Sequence, residues 1–355
     1  MKKHNFSAGP CILPKEVFQQ ASNAVIDFNN SGLSILEISH RSEAFVQVMN
    51  KAVRLVKEIL TIPDDYSVLF LQGGASLQFL MLAQNFMKKN KKSGYLDTGT
   101  WASKAIKEAL LFGEVITVAS SKDQNYNFIP KNYIIPKDID YFHCTSNNTI
   151  YGTQIKQFPI SPVNMVCDMS SDIFSRKIDV SKFSLIYAGA QKNLGPAGTT
   201  LVIIKNKILT EDEVKIPTML DYNTHIDKGS MFNTPPVFSI YVSMLTLEWL
   251  QKNGGIKWIE ERNKEKSRLL YNTIEKNSLF ETISAKEDQS IMNATFLLKE
   301  NKLEKRFNVM CENAGISGIK GHRSVGGYRA SMYNSMPIES VQTLIDIMNE
   351  LERKA

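Results

Sequence analysis

Cysteine is scarce: four residues in 355, at positions 11, 144, 167 and 311, without CxxC spacing or the density of a disulfide framework. That excludes a disulfide-stapled scaffold, fits a reducing compartment, and leaves the four to be read as core thiols. The five histidines, at 4, 40, 143, 225 and 322, form neither HExxH nor a paired Cys/His pattern, so no metal site is expected. Long apolar runs are missing too. Stretches such as 79–83 fall well short of the roughly 18 residues that suggest a bilayer-spanning helix. The basic start lacks the apolar core and small-residue cleavage site of a secretory signal. A cytoplasmic protein with no membrane partner is the expectation. The excess of basic over acidic side chains is small, 42 against 36 for a net charge of +6, and the basic residues are dispersed. The densest run, Lys88, Lys89, Lys91 and Lys92, follows a predicted helix, where cations favour the exposed carbonyl end. A solvated cap accounts for it better than a phosphate-backbone patch, and no nucleic-acid partner is expected. Neither GxxxxGK nor a well-placed GxGxxG is present, which removes specific support for nucleoside triphosphate or dinucleotide binding.

What remains is a chain of ordinary composition, 43% apolar and 22% charged, with a length that suggests about two domains. The spacing of Phe45, Met49, Ala52, Val53, Val56, Ile59 and Leu60 predicts an amphipathic helix over 42–60, ended before Pro63. A strand at 66–71, a turn at Gly73-Gly74-Ala75-Ser76 and a helix at 77–87 follow. Apolar runs at 114–118, 140–143, 164–167, 185–187 and 200–204 alternate with helical or loop stretches, which predicts an α/β domain around a largely parallel sheet. After a helix near 240–251, Gly254-Gly255 marks a junction. Helix 256–276, strand 290–298, helix 303–313, strands near 316–318 and 327–333 and helix 338–353 then predict a smaller α+β domain.

The chemistry concentrates between Asp168 and Gly198. Asp168 follows the apolar Met165-Val166-Cys167, and Lys192, 24 residues on, follows Leu185-Ile186-Tyr187. Ligand sites in parallel sheets lie outside the carboxyl ends of strands, so the two can face one crevice. A lysine can form a Schiff base with a pyridoxal aldehyde, and a carboxylate can keep the pyridine nitrogen protonated so that the ring accepts electrons. Alone, Lys192 reads more readily as a surface lysine, and Asp168 equally as a turn cap. The small residues around Lys192, from Ala188-Gly189-Ala190 to Gly195-Pro196-Ala197-Gly198, permit close backbone approach to a bound group. Gly73-Gly74-Ala75-Ser76 at a helix start offers free backbone N–H groups to a phosphate, or is a plain turn with Ser76 as N-cap.

At these residues the chain resembles the phosphoserine aminotransferases, a family of class V pyridoxal-phosphate enzymes with the type I fold. The resemblance runs through Asn5-Phe6-Ser7-Ala8-Gly9-Pro10, Ser39-His40-Arg41-Ser42, the Gly73 turn, Thr100-Trp101, the Lys192 segment, Asn233-Thr234-Pro235-Pro236 and the stretch from Gly321-His322-Arg323-Ser324 to Tyr328-Arg329-Ala330-Ser331. It implies a large cofactor-binding domain over 16–255, with 1–15 and 256–355 forming the small domain. Lys192 is then the Schiff-base lysine, Asp168 the partner of the pyridine nitrogen, Trp101 the stacking indole, and Thr149 the hydroxyl on the cofactor's ring oxygen. Ala75, Ser76 and Gln191 would hold the cofactor phosphate, with Asn233 and Thr234 reaching in from a second subunit, which implies a homodimer. Arg329 would clamp the substrate α-carboxylate. His40 and Arg41 of the neighbouring subunit, with His322 and Arg323, would bind the distal anion.

The implied reaction moves the amino group of glutamate onto 3-phosphohydroxypyruvate, giving O-phosphoserine and 2-oxoglutarate in serine biosynthesis. The phosphohydroxythreonine pair of vitamin B6 synthesis is a further substrate the resemblance suggests. Two positions depart from some relatives, which carry an arginine at Ser76 and an acidic residue at Asn148; both change local charge. The alternatives are another class V enzyme, such as an alanine–glyoxylate aminotransferase or a cysteine desulfurase, and a protein that holds pyridoxal phosphate without turnover.

Overall fold

The computed structural model describes residues 3–206, 208–209 and 215–355. Its centre is a seven-stranded sheet: β1 (Tyr66–Leu71), β2 (Lys92–Asp97), β3 (Glu114–Ser120), β4 (Tyr141–Thr145), β5 (Asn164–Asp168), β6 (Leu185–Gly189) and β7 (Thr200–Lys205), in the spatial order β1-β7-β6-β5-β4-β2-β3. Every neighbouring pair is parallel except those made by β7, which runs antiparallel to both β1 and β6. The largely parallel sheet expected from the sequence is therefore present, with one reversed strand.

The strands are apolar on both faces, as burial between layers requires. Met165, Cys167, Phe142, Cys144, Ile186 and Ala188 point into the larger core cluster. Tyr141, Val166, Leu185 and Tyr187 point the other way. Strand parity puts Asp168 on that second face, beside Thr145 of β4 and Tyr187 of β6 in the ladder. On the first face, α1 (Lys15–Ile26) and α2 (Glu43–Leu60) pack on a later helix at Val237–Lys252. Ser42 caps α2 through the Phe45 N–H, and Phe45, Val48, Met49, Ala52, Leu55, Val56 and Leu60 form its buried stripe.

The second face carries α3 (Gly74–Phe86) and α4 (Thr100–Ala109). Each follows a strand through a glycine turn, so both helix N-termini stand at the carboxyl edge of the sheet. The helix predicted from 77 thus starts three residues earlier, inside the expected turn. Gly73 adopts φ +85°, and a Cβ there would lie 2.5 Å from Leu77, so a side chain is excluded twice over.

The remaining residues build a smaller layer. Strands β8 (Phe280–Thr282), β9 (Asn293–Leu298) and β10 (Tyr328–Ser331) form an antiparallel sheet. It is backed by α6 (Gly255–Lys276), where α5 is the helix Val237–Lys252, and by α7 (Glu304–Asn313) and α8 (Ile338–Lys354). The chain start joins this layer: His4–Asn5 pairs in parallel with Ile316–Ser317, and Phe6 is buried in the same core as Leu270, Phe296 and Phe307. Among the described residues no helix is long and apolar enough to cross a membrane.

Candidate active site

The carboxyl ends of β4, β5 and β6 bring Asp168 and Lys192 together. Asp168 is 5% exposed. Its Oδ1 accepts the Ser170 N–H at 2.9 Å, and the Ser170 hydroxyl oxygen accepts the Gly189 N–H at 3.0 Å. Ser170 therefore fixes the carboxylate against the start of the lysine turn. Burial raises the Asp168 pKa above its ordinary value; the positive charge of Lys192 and the bonds from Ser170 work against that rise.

Lys192 donates from Nζ to the Thr149 hydroxyl oxygen at 2.9 Å. Burial pulls its pKa down to about 8, Asp168 opposes the fall and Arg329 adds to it. The amine is thus far closer to its neutral, nucleophilic form at physiological pH than an exposed lysine. Thr149 is held in a short hairpin in which Asn147–Asn148 pairs with Thr153–Gln154. The Asn148 amide donates to Thr153 at 3.0 Å, so this position braces the hairpin.

Trp101 sits in the first turn of α4, with its ring centroid 5.9 Å from Lys192 Nζ. The start of α4 is anchored by Asp97, which accepts from Ser103 at 2.9 Å, Ser120 at 3.0 Å and Tyr126 at 3.2 Å. Ala75 and Ser76 occupy the first turn of α3, where no side chain caps the backbone N–H groups; Gln191 lies beside Lys192. Arg329, on β10, is half-buried and reaches the Thr149 carbonyl at 3.5 Å. His322 shares this electrostatic neighbourhood. Partial burial, then Arg329, Arg323 and Lys104, lower its pKa.

Four sequence-predicted residues stand apart from this group. Asn233, Thr234 and Arg41 are exposed and His40 is half-buried. Among the described residues, no hydrogen bond or ion pair links their side chains to Lys192, Asp168 or Arg329. Sequence reasoning also missed neighbours. Gly9, at φ +137°, lies where a Cβ would come within 3.2 Å of the Gln191 carbonyl and 3.3 Å of Lys192 Cγ. Cys11 is no core thiol: it is half-buried and donates to the Lys192 carbonyl at 2.8 Å. The other three cysteines are buried. Tyr333 donates to the Ala8 carbonyl at 2.7 Å, closing the chain start over the lysine turn.

The family model "Aminotransferase class-V" matches residues 3–344. The chain belongs to the class V aminotransferases. This aminotransferase is 62% identical over 355 residues to a phosphoserine aminotransferase of Flavobacterium psychrophilum, all of both chains being covered. It is 58% identical to one of Bacteroides fragilis, with 99% of each chain covered. Among solved structures, the phosphoserine aminotransferase of Bacillus circulans subsp. alkalophilus superposes with a TM-score of 0.97 at 42% identity, covering 99% of both chains. The enzyme class and fold drawn from the motifs are thereby established, and the cofactor of this aminotransferase is pyridoxal phosphate. The residues present suit that group. Asp168 acts electrostatically on Lys192, the start of α3 is uncapped by side chains, and Trp101 Nε1 and Arg329 Nε are buried without partners, as donors facing a polar ligand would be.

Proposed function

We propose that this aminotransferase transfers the amino group of glutamate to 3-phosphohydroxypyruvate, reversibly, giving O-phosphoserine and 2-oxoglutarate, as a homodimer in the cytoplasm. The observation that carries the substrate reading is the positive cluster around His322. Arg329, Arg323 and Lys104 all bear on it, while the acids Asp168 and Asp172 act on Lys192. Both substrates bring an α-carboxylate and a second anion, which such a field favours.

In this reading Lys192 binds the cofactor, and its amine moves the proton at the substrate Cα. The Thr149 hydroxyl orients that amine and would donate to the ring oxygen. Asp168, steadied by Ser170, holds the proton on the pyridine nitrogen. When bound, pyridoxal phosphate supplies the carbonyl that carries the amino group and the electron sink for the pair left at Cα. Ala75, Ser76 and Gln191 would hold its phosphate through backbone N–H, hydroxyl and amide donors, the N-terminal end of α3 adding its positive dipole. Trp101 would restrain the ring plane. Arg329 presents a planar guanidinium for two parallel hydrogen bonds to the α-carboxylate.

His40, Arg41, Asn233 and Thr234 fit this scheme as residues supplied by a second copy, since each lies on the outer part of its own protomer. Cys11 offers no desulfurase nucleophile, because burial pushes its thiol up to about 12 despite nearby Lys192; the thiolate is what attacks. The division into 16–255 and 1–15 with 256–355 belongs to the same proposal. It is supported by the pairing of His4–Asn5 with Ile316–Ser317.

The test compares O-phosphoserine with serine as amino donor to 2-oxoglutarate. A preference in kcat/KM of at least about 10²-fold for the phosphorylated donor is expected, the scale of a desolvated charge contact; equal values would sink the distal-anion reading. Arg41→Ala should reduce phosphoserine use while leaving the cofactor's visible absorption intact.

A further inference from the structure

Lys104 lies one helical turn beyond Trp101, and its ammonium stands 4.6 Å from the centroid of the Trp101 ring. Among the described residues no carboxylate pairs with it and no hydrogen bond holds it. The ring beneath it is also a wall of the site. Trp101 and Val325 both pack against the cluster of Tyr126, Ile150 and Tyr151. The turn that carries Val325 is closed by the His322 carbonyl, which accepts from the N–H groups of Val325 at 2.9 Å and Gly326 at 2.8 Å. Lys104, through Trp101, and the His322 turn, through Val325, thus rest on one cluster, and the charge of Lys104 reaches the His322 imidazole.

An exposed lysine without an anion normally samples water freely. Contact with an indole restrains this one, on the side of the molecule where Arg323 and Arg329 already concentrate positive charge. We propose that Lys104 is a specificity-determining residue that adds a further positive charge to the distal-anion site and so favours a phosphate over a carboxylate. The inference rests on the substrate reading above. Its logic is Coulombic: attraction scales with ligand charge, and a phosphomonoester carries close to −2 at neutral pH against −1 for a carboxylate. Hydrogen-bond donors alone would discriminate by shape; an additional cation discriminates by charge.

The experiment uses the holoenzyme and the variants Lys104→Met, which keeps a stem over the indole, and Lys104→Arg, which keeps the charge. The kcat/KM ratio of O-phosphoserine to glutamate should fall about fivefold in K104M and stay within about twofold of wild type in K104R, as expected for one partly solvated charge near a dianion. The inhibition constant of inorganic phosphate against O-phosphoserine should rise by a similar factor in K104M. Salt should erode the wild-type ratio more steeply than that of K104M. An unchanged ratio in K104M, or an equal loss in K104R, would overturn the inference. Failure of the underlying reading looks different: wild-type enzyme would then show no preference for O-phosphoserine over serine.

Discussion

Among the described residues, Lys192 and Lys266 both have surroundings that pull their amines from bulk water, and those surroundings could hardly differ more. Lys192 projects from the turn after β6 toward a hydroxyl, with a carboxylate close by. Lys266, 1% exposed on α6, donates to the backbone carbonyls of Met332 at 3.0 Å and Tyr333 at 2.8 Å. Burial lowers both, Lys192 to about 8 and Lys266 to about 7. The more depressed amine is the one to which the proposed chemistry assigns no role. A shifted pKa therefore does not single out a catalytic lysine; the partners do. Carbonyls can only accept from Lys266 and tie α6 to the end of β10. The Thr149 hydroxyl can donate as well as accept, and Asp168 is the carboxylate proposed to face the cofactor nitrogen.

The sharpest way to break this contrast is to delete each amine in turn. Lys192→Ala should lower kcat/KM by about 10⁴-fold, the upper range for a group that moves a proton in the reaction, while the folded state persists. Steady-state kinetics and circular dichroism on one preparation measure both. Asp168→Asn keeps the shape and removes the charge. A loss on the order of 10²-fold is expected, the scale of removing one member of a buried charge pair, with weaker cofactor retention on dialysis.

Lys266→Met should leave kcat/KM within about tenfold of wild type and change the pH dependence of stability instead. The folded pKa of Lys266, about 7, lies below the ordinary 10.5, so the unfolded chain binds the extra proton across that interval. Stability from this residue is present above the unfolded value and lost as pH falls through the folded one. The unfolding free energy of wild type, relative to that of K266M, should therefore climb from about pH 7 to pH 10, by at most roughly 1.4 kcal/mol per pH unit. A flat difference across that range would show that Lys266 keeps its proton in the folded protein.

The sequence made the central pair readable because both members occupy positions of distinct grammar. Asp168 terminates an apolar strand, and Lys192 lies in a turn of small residues after another. The antiparallel course of β7 was not readable, since an apolar run carries no sign of its direction. Strand β2 escaped notice for a different reason: Lys92-Ser93-Gly94 has no apolar alternation, and Gly94 is required by packing, its missing Cβ leaving room for Ile139 at 2.7 Å. The same limit hid Ser170, Cys11, Tyr333 and Lys104. A serine two residues after an aspartate, or a lysine three after a tryptophan, is ordinary in sequence and acquires meaning only when folding sets it against a particular neighbour. The residues assigned to a second copy became legible through family motifs, because no single-chain contact announces them.

The most direct test of the whole account is borohydride reduction of the holoenzyme followed by peptide mapping. The account predicts a single pyridoxyl label on Lys192, with Lys266 unlabelled. A label on any other lysine, or none after reduction of fully loaded enzyme, would contradict it.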